Sequence, residues 1–181
     1  MEQPVTFLVW TDNSPGVLLR ITTLFTRRKI NVESLTVSAT ETHGISRFTI
    51  VINCNPVTAA TIGRQIERMI EVRRVVVFEE GDVLHREVAL IRATTTQEQC
   101  AEIRARYPSC GVVQSGEGSA LFQFTGTEGE IASFLAELEP HGVIEVVRSG
   151  RIAVTLEGDY DNDLSRSLHG LRPEANEGPD M

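Results

Sequence analysis

The chain has 181 residues, a formal net charge of −8 and 41% hydrophobic residues. This is enough for one ordinary domain or two small ones with packed cores, and the acidic balance argues against wrapping nucleic acid, which needs clustered Lys and Arg. The N-terminus lacks a signal-peptide pattern, no apolar run approaches a membrane span, and three cysteines without a CxxC suit reduced thiols, so a soluble cytoplasmic protein is expected.

Residues 4–11 (PVTFLVWT) read as a strand, and 15–28 (PGVLLRITTLFTRR) as a helix. Its apolar stripe is Val17, Leu18, Ile21, Leu24 and Phe25. Ser14 is placed as N-cap and Pro15 as the first helical residue. Residues 31–40 are β-rich with imperfect alternation of Val32, Leu35 and Val37. His43-Gly44 turns the chain into a clearer strand ending at Cys54, with Phe48, Ile50 and Ile52 on one face. Asn55-Pro56 opens a helix over 55–72 whose stripe is Ile62, Ile66, Met69 and Ile70, and 72–79 is a final strand. The order β-α-β-β-α-β in about 80 residues is the ferredoxin-like pattern.

After a joint at 79–82 (EEGD) the order recurs: a strand at 86–94, a helix at 96–107 opened by a Thr96…Gln99 capping box, and two strands around Gly116-Glu117-Gly118. A helix at 127–138 follows, opened by Thr127…Glu130, and then a strand, a Ser149-Gly150 turn and a short last strand. The expected organisation is α+β, two tandem ferredoxin-like units at 1–80 and 84–158, followed by an acidic disordered tail at 159–181.

Chemistry-bearing patterns are few. The four His are scattered without ligand spacing, so no metal is expected, and no GxGxxG or P-loop occurs. Each Cys reads as a small buried hydrophobe, and Arg27-Arg28-Lys29 and Arg73-Arg74 as solvated surface charges. The segment DNSPGV (12–17) is the most suggestive stretch. A helix N-terminus offers backbone N–H groups and a positive dipole to an anion. Gly16 lets a ligand approach the backbone closely, so a carboxylate could sit against Gly16 and Val17 with Asn13 orienting it. Asn-Ser-Pro-Gly is equally an ordinary way to begin a helix. Asn31 likewise reads, alone, as a local turn residue.

The run FLVWTDNSPGVLLRITTLFTRRKINVESLTV, followed by SRFTI, resembles the small regulatory subunit of acetohydroxyacid (acetolactate) synthase, whose N-terminal part is an ACT domain, an amino-acid-sensing ferredoxin-like fold. REVALIRA, FTGTEGEIASFLAEL and GVIEVVRSGRIAV resemble that family's C-terminal domain, so the likeness spans about residues 4–158. It implies a non-catalytic chain that pairs as a homodimer, activates a large catalytic subunit and confers feedback inhibition by valine or another branched-chain amino acid. Thiamine diphosphate, Mg²⁺ and FAD would belong to that catalytic partner and none to this chain. The resemblance also implies a ligand site across two copies, with Asn13, Gly16 and Val17 from one and Asn31 and Val32 from the other, Val17 and Val32 bordering a small aliphatic side chain. The sequence departs from the family pattern at Lys29, where Gly is frequent, and at Ile30, where an aromatic is. Lys takes the left-handed conformation less readily than Gly, which leads us to expect a differently shaped loop before Asn31. Two other classes are weighed. A free-standing ACT sensor for another enzyme would not share the second half. An acylphosphatase-type hydrolase would need an Arg in the loop after the first strand, where TDNSPGV has none.

Overall fold

The computed structural model describes residues 2–79, 83–116 and 118–155. Most of the proposed joint (80–82), Glu117 of the second hairpin, residues 156–158 of the last strand and the acidic tail lie outside the described residues. The chain divides near Leu84 into two compact units.

In the first unit the elements are β1 (Gln3–Asp12), α1 (Val17–Arg27), β2 (Val32–Ala39), β3 (Ile45–Cys54), α2 (Pro56–Glu67) and β4 (Val72–Glu79). The strands form an antiparallel sheet in the order β2-β3-β1-β4. Alternation decides which side chains meet the helices: Val5, Phe7 and Val9 of β1, Phe48, Ile50 and Ile52 of β3, and Val75 and Val77 of β4 form one core with Val17, Ile21 and Phe25 of α1 and Ala59, Ile62 and Ile66 of α2. Full burial of such a side chain contributes roughly 1.5–3 kcal/mol. The imperfect alternation expected in β2 has a local cause. Val32 lies opposite Ile52 and Ser34 opposite Val51, so Glu33 is the extra residue of a bulge.

Two helical stripes are narrower than expected. Leu18 is exposed rather than buried, because three residues at i, i+4 and i+8 suffice to cover the sheet. Ile70 is 93% exposed, because α2 ends at Glu67 and the last turn of the periodic pattern is not helical. Asn55 does cap α2, its side-chain oxygen accepting from Thr58 N at 2.9 Å, with Pro56 at the first helical position.

In the second unit β5 (Val83–Ala93), α3 (Gln97–Arg106), β6 (Cys110–Gly116), β7 (Ser119–Gly126), α4 (Glu128–Leu138), β8 (Val143–Arg148) and β9 (Ile152–Thr155) build a sheet ordered β6-β7-β5-β8. β8 and β9 both pair with β5, so Ser149-Gly150 is an interruption and not a hairpin between them. Both capping boxes form. The core is aromatic: Phe134 of α4 stacks on Phe124 with centroids 4.6 Å apart and meets Tyr107 edge-on at 5.0 Å. Among the described residues no helix is long and apolar enough to cross a membrane. The architecture is α+β, two ferredoxin-like units in tandem.

Candidate functional site

The loop between β1 and α1 is pinned from two sides. The Asp12 amide donates to Glu71 O at 2.8 Å, and the Asn13 amide donates to Gly44 O at 2.7 Å in the β2–β3 turn. The Asp12 carboxylate is held by Arg73 through Nε at 2.8 Å and Nη2 at 2.9 Å, and Arg20 pairs with Glu71 at 2.6 Å. Arg73 is exposed, as expected of a surface charge, and it also holds the loop in a bidentate pair. Arg74 does depart from the reading as a solvated charge: it is half-buried, and it and Arg47 lie over the Trp10 ring at 5.3 and 4.8 Å. Arg28 donates to the Gln65 side chain. Nothing local signals any of these; Asp12 and Arg73 are 61 residues apart.

The helix start also differs from expectation. Its N-cap is Gly16, with φ 86° and ψ −9°, and no side chain caps it. Ser14 instead sits in a tight turn, its amide donating to Asp12 O at 2.9 Å, and Pro15 precedes the helix. Gly suits this position because its backbone is left-handed, a region that other L residues enter at a cost of roughly 1–2 kcal/mol. The first N–H groups of α1 have no intrahelical partner, and no acidic residue lies in the first turn to neutralise the positive end. A Cβ built on Gly16 meets nothing within 4 Å, so space beside this end is open. Val17 is corrected in one respect. Its side chain is 3% exposed and belongs to the core, so only its backbone N–H is left for a ligand and it cannot border an aliphatic side chain.

At the other end of α1, Lys29 takes φ 56° and is the non-glycine residue with positive φ among the described residues. The Lys29 amide donates to Thr26 O at 3.0 Å and the Ile30 amide to Phe25 O at 3.1 Å. This is the Schellman pair, completed by Ile30 packing on the core. The expected reshaping of the loop therefore does not occur: Lys29 adopts the conformation that Gly would. Asn31 follows, exposed, its Nδ2 donating to Glu33 Oε1 at 3.1 Å. Val32 is half-buried against the same core.

Within one chain these residues do not meet. Asn13, Gly16 and Val17 flank the start of α1, Asn31 and Val32 follow its end, and an 11-residue helix is about 16 Å long. Two cavities of about 380 and 390 Å³ lie elsewhere, one beside Arg28, Cys54 and Asn55, the other beside Thr95, Thr96 and Cys100; neither is lined by any of the five residues. No group of three or more His, Cys, Asp or Glu could hold a metal ion among the described residues. The three thiols are free and buried. Burial pushes Cys110 up to about 11 and also raises Cys54, the direction opposite to that of a nucleophilic thiol. What the arrangement offers is recognition: an uncapped helix end for an anion, and an amide–carboxylate pair at the far end of the same helix.

Comparison with known proteins agrees in both halves. Residues 7–74 match the model of the AHAS small subunit-like ACT domain, and residues 86–157 that of the small subunit of acetolactate synthase. The acetolactate synthase small subunit of Mycolicibacterium smegmatis is 36% identical over 157 residues, covering 83% of this chain and 89% of that protein. The Bacillus subtilis protein of the same name is 36% identical over 146 residues, covering 78% of this chain and 84% of that one. Among solved structures, the acetolactate synthase small subunit from Thermotoga maritima superposes with a TM-score of 0.78 at 25% identity, covering 84% of this chain and 97% of that chain.

Proposed function

The chain belongs to the acetolactate synthase small-subunit family, and from that premise we propose that it is a non-catalytic regulatory subunit that activates a large catalytic subunit and makes it sensitive to valine. The regulatory role follows from the family; activation and valine inhibition are our reading. Thiamine diphosphate, Mg²⁺ and FAD belong to the catalytic chain, which condenses pyruvate with a second 2-keto acid.

The observation that carries the ligand reading is the division of the candidate site between the two ends of α1. One chain holds a half-site for a carboxylate at Gly16 and Val17, with Asn13 beside it, and another half-site at Asn31 and Val32. Two copies side by side can bring unlike ends together and complete two equivalent sites, as an isologous dimer requires. The surface suits such pairing. β2 is an edge strand of its sheet, the position from which a sheet can be extended by another strand. On α1, Leu18 and Leu19 are exposed, and the hydroxyls of Thr22, Thr23 and Thr26 are taken up by carbonyls of their own helix. Valine shifts the complex only through a difference in affinity between two arrangements of the subunits.

The test is reconstitution. The chain alone should have no synthase activity, should raise the turnover of its catalytic partner to a plateau on titration, and should make that turnover fall with added valine. Turnover unaffected over the whole titration refutes the activating role. Activation without any response to valine refutes the sensing role.

A further inference from the structure

A valine zwitterion needs two opposite recognitions, and the candidate site supplies only one of them with charge. The uncapped start of α1 attracts the carboxylate. Asn13, Gly16, Val17, Asn31 and Val32 include no carboxylate to meet the ammonium. The acids near the loop are occupied: Asp12 is held bidentately by Arg73 and Glu71 by Arg20. Glu33 differs. It is exposed, and its described partner is the neutral amide of Asn31 at 3.1 Å. It is also the extra residue of the β2 bulge, on an edge strand. Bulges break strand pairing and re-aim a side chain.

Resting on the reading of the site given above, we propose that Glu33 is a further ligand-binding residue, its carboxylate receiving the ammonium group of the amino acid, and that it also positions Asn31. By accepting from Asn31 Nδ2, Glu33 leaves the Asn31 carbonyl oxygen as a second acceptor. The pair thus presents one charged and one neutral acceptor to a group with three N–H donors. Charge-assisted bonds of this kind are about twice as strong as neutral ones. The chemistry selects an α-amino acid over the corresponding branched carboxylic acid, which keeps the anion and the aliphatic part and lacks the amine.

The experiment is calorimetric titration of the full-length chain, wild type and Glu33→Gln, with L-valine and with 3-methylbutanoate, each variant checked for an unchanged unfolding midpoint. The expected result is valine binding by wild type, at least about tenfold weaker binding by Glu33→Gln, and no comparable change for 3-methylbutanoate. Glu33→Asp, which keeps the charge, should recover part of the valine affinity. Equal loss for both ligands means that Glu33 only supports the loop and overturns the proposal. So does valine binding by Glu33→Gln at wild-type strength. Failure of wild type to bind valine at all overturns the site reading on which the proposal rests, and is distinguished by appearing before any variant is compared.

Discussion

Replacing Gly16 tests the anion site, provided the cost to the backbone is separated from the cost to the ligand. Gly16 sits at φ 86° with open space where a Cβ would go. Gly16→Ala therefore carries strain and no clash, roughly 1–2 kcal/mol, which lowers the first unit's melting temperature by several degrees, since each kcal/mol shifts a domain of this size by about 4–8 °C. Gly16→Asp carries a similar or smaller strain, because Asp enters the left-handed region more readily. It adds a negative charge beside the ligand carboxylate. At about 4 Å and an effective dielectric near 20 the repulsion is about 4 kcal/mol. The loop is exposed, so screening leaves about a quarter of this. About 1 kcal/mol is a fivefold loss of affinity. Calorimetric titration with valine should then show Gly16→Ala within about twofold of wild type and Gly16→Asp at least about fivefold weaker, with the gap narrowing as salt is added. The same ranking should appear in half-inhibitory valine concentrations of the reconstituted complex. Equal weakening by Ala and Asp would refute the electrostatic reasoning and place the effect in the backbone. Wild-type affinity in Gly16→Asp would place the carboxylate elsewhere.

Lys29→Gly relieves about 1–2 kcal/mol of left-handed strain against about 0.4–1 kcal/mol lost to a freer unfolded chain; a net gain of about 0.5–1 kcal/mol should raise the urea midpoint, and a fall would show that the Lys29 side chain has a stabilising contact. Gly126→Ala should destabilise by about 2–3 kcal/mol, because the new Cβ would lie 2.9 Å from Phe124 Cε1 and 3.0 Å from both Glu130 Cβ and Oε2. It would also displace the carboxylate that accepts from Thr127 N at 2.6 Å in the α4 cap; an unchanged midpoint in equilibrium unfolding would contradict the packing. Cys110, raised by burial from an ordinary value of 9.0 to about 11, holds about a hundredfold less thiolate at pH 8 than an unshifted thiol. Iodoacetamide followed by mass spectrometry should label it only on unfolding. The same shift makes stability fall as pH rises from about 9 towards 11, because the unfolded thiol loses its proton first; rapid native labelling at pH 8 would refute both statements.

Much of the fold was legible because its signals are local. The caps Asn55-Pro56, Thr96…Gln99 and Thr127…Glu130 act over three residues, and each forms as the sequence implies. Strand faces follow from alternation, which places Phe48, Ile50 and Ile52 in the core. The family likeness likewise rests on contiguous runs. What tertiary structure decided is where local rules compete or partners are distant in sequence. Ser14 is as good a cap by type as Asn55, yet the loop is tied to Gly44, Glu71 and Arg73, and that geometry moves the cap to a left-handed Gly16. Val17 has the residue type of a pocket wall, but the turn it begins lays its side chain into the core. Lys29 has poor propensity for its φ, and the two backbone bonds and the Ile30 contact that close α1 outweigh that cost. Leu18 and Ile70 fit a helical stripe, but Val17, Ile21 and Phe25 already cover the sheet on α1, and α2 ends at Glu67 before Ile70 is reached. The composition of the candidate site can be written down from the sequence. Its division between the two ends of one rigid helix comes from the fold, because about 16 Å of helix keeps apart what 15 residues of sequence, from Gly16 to Asn31, do not.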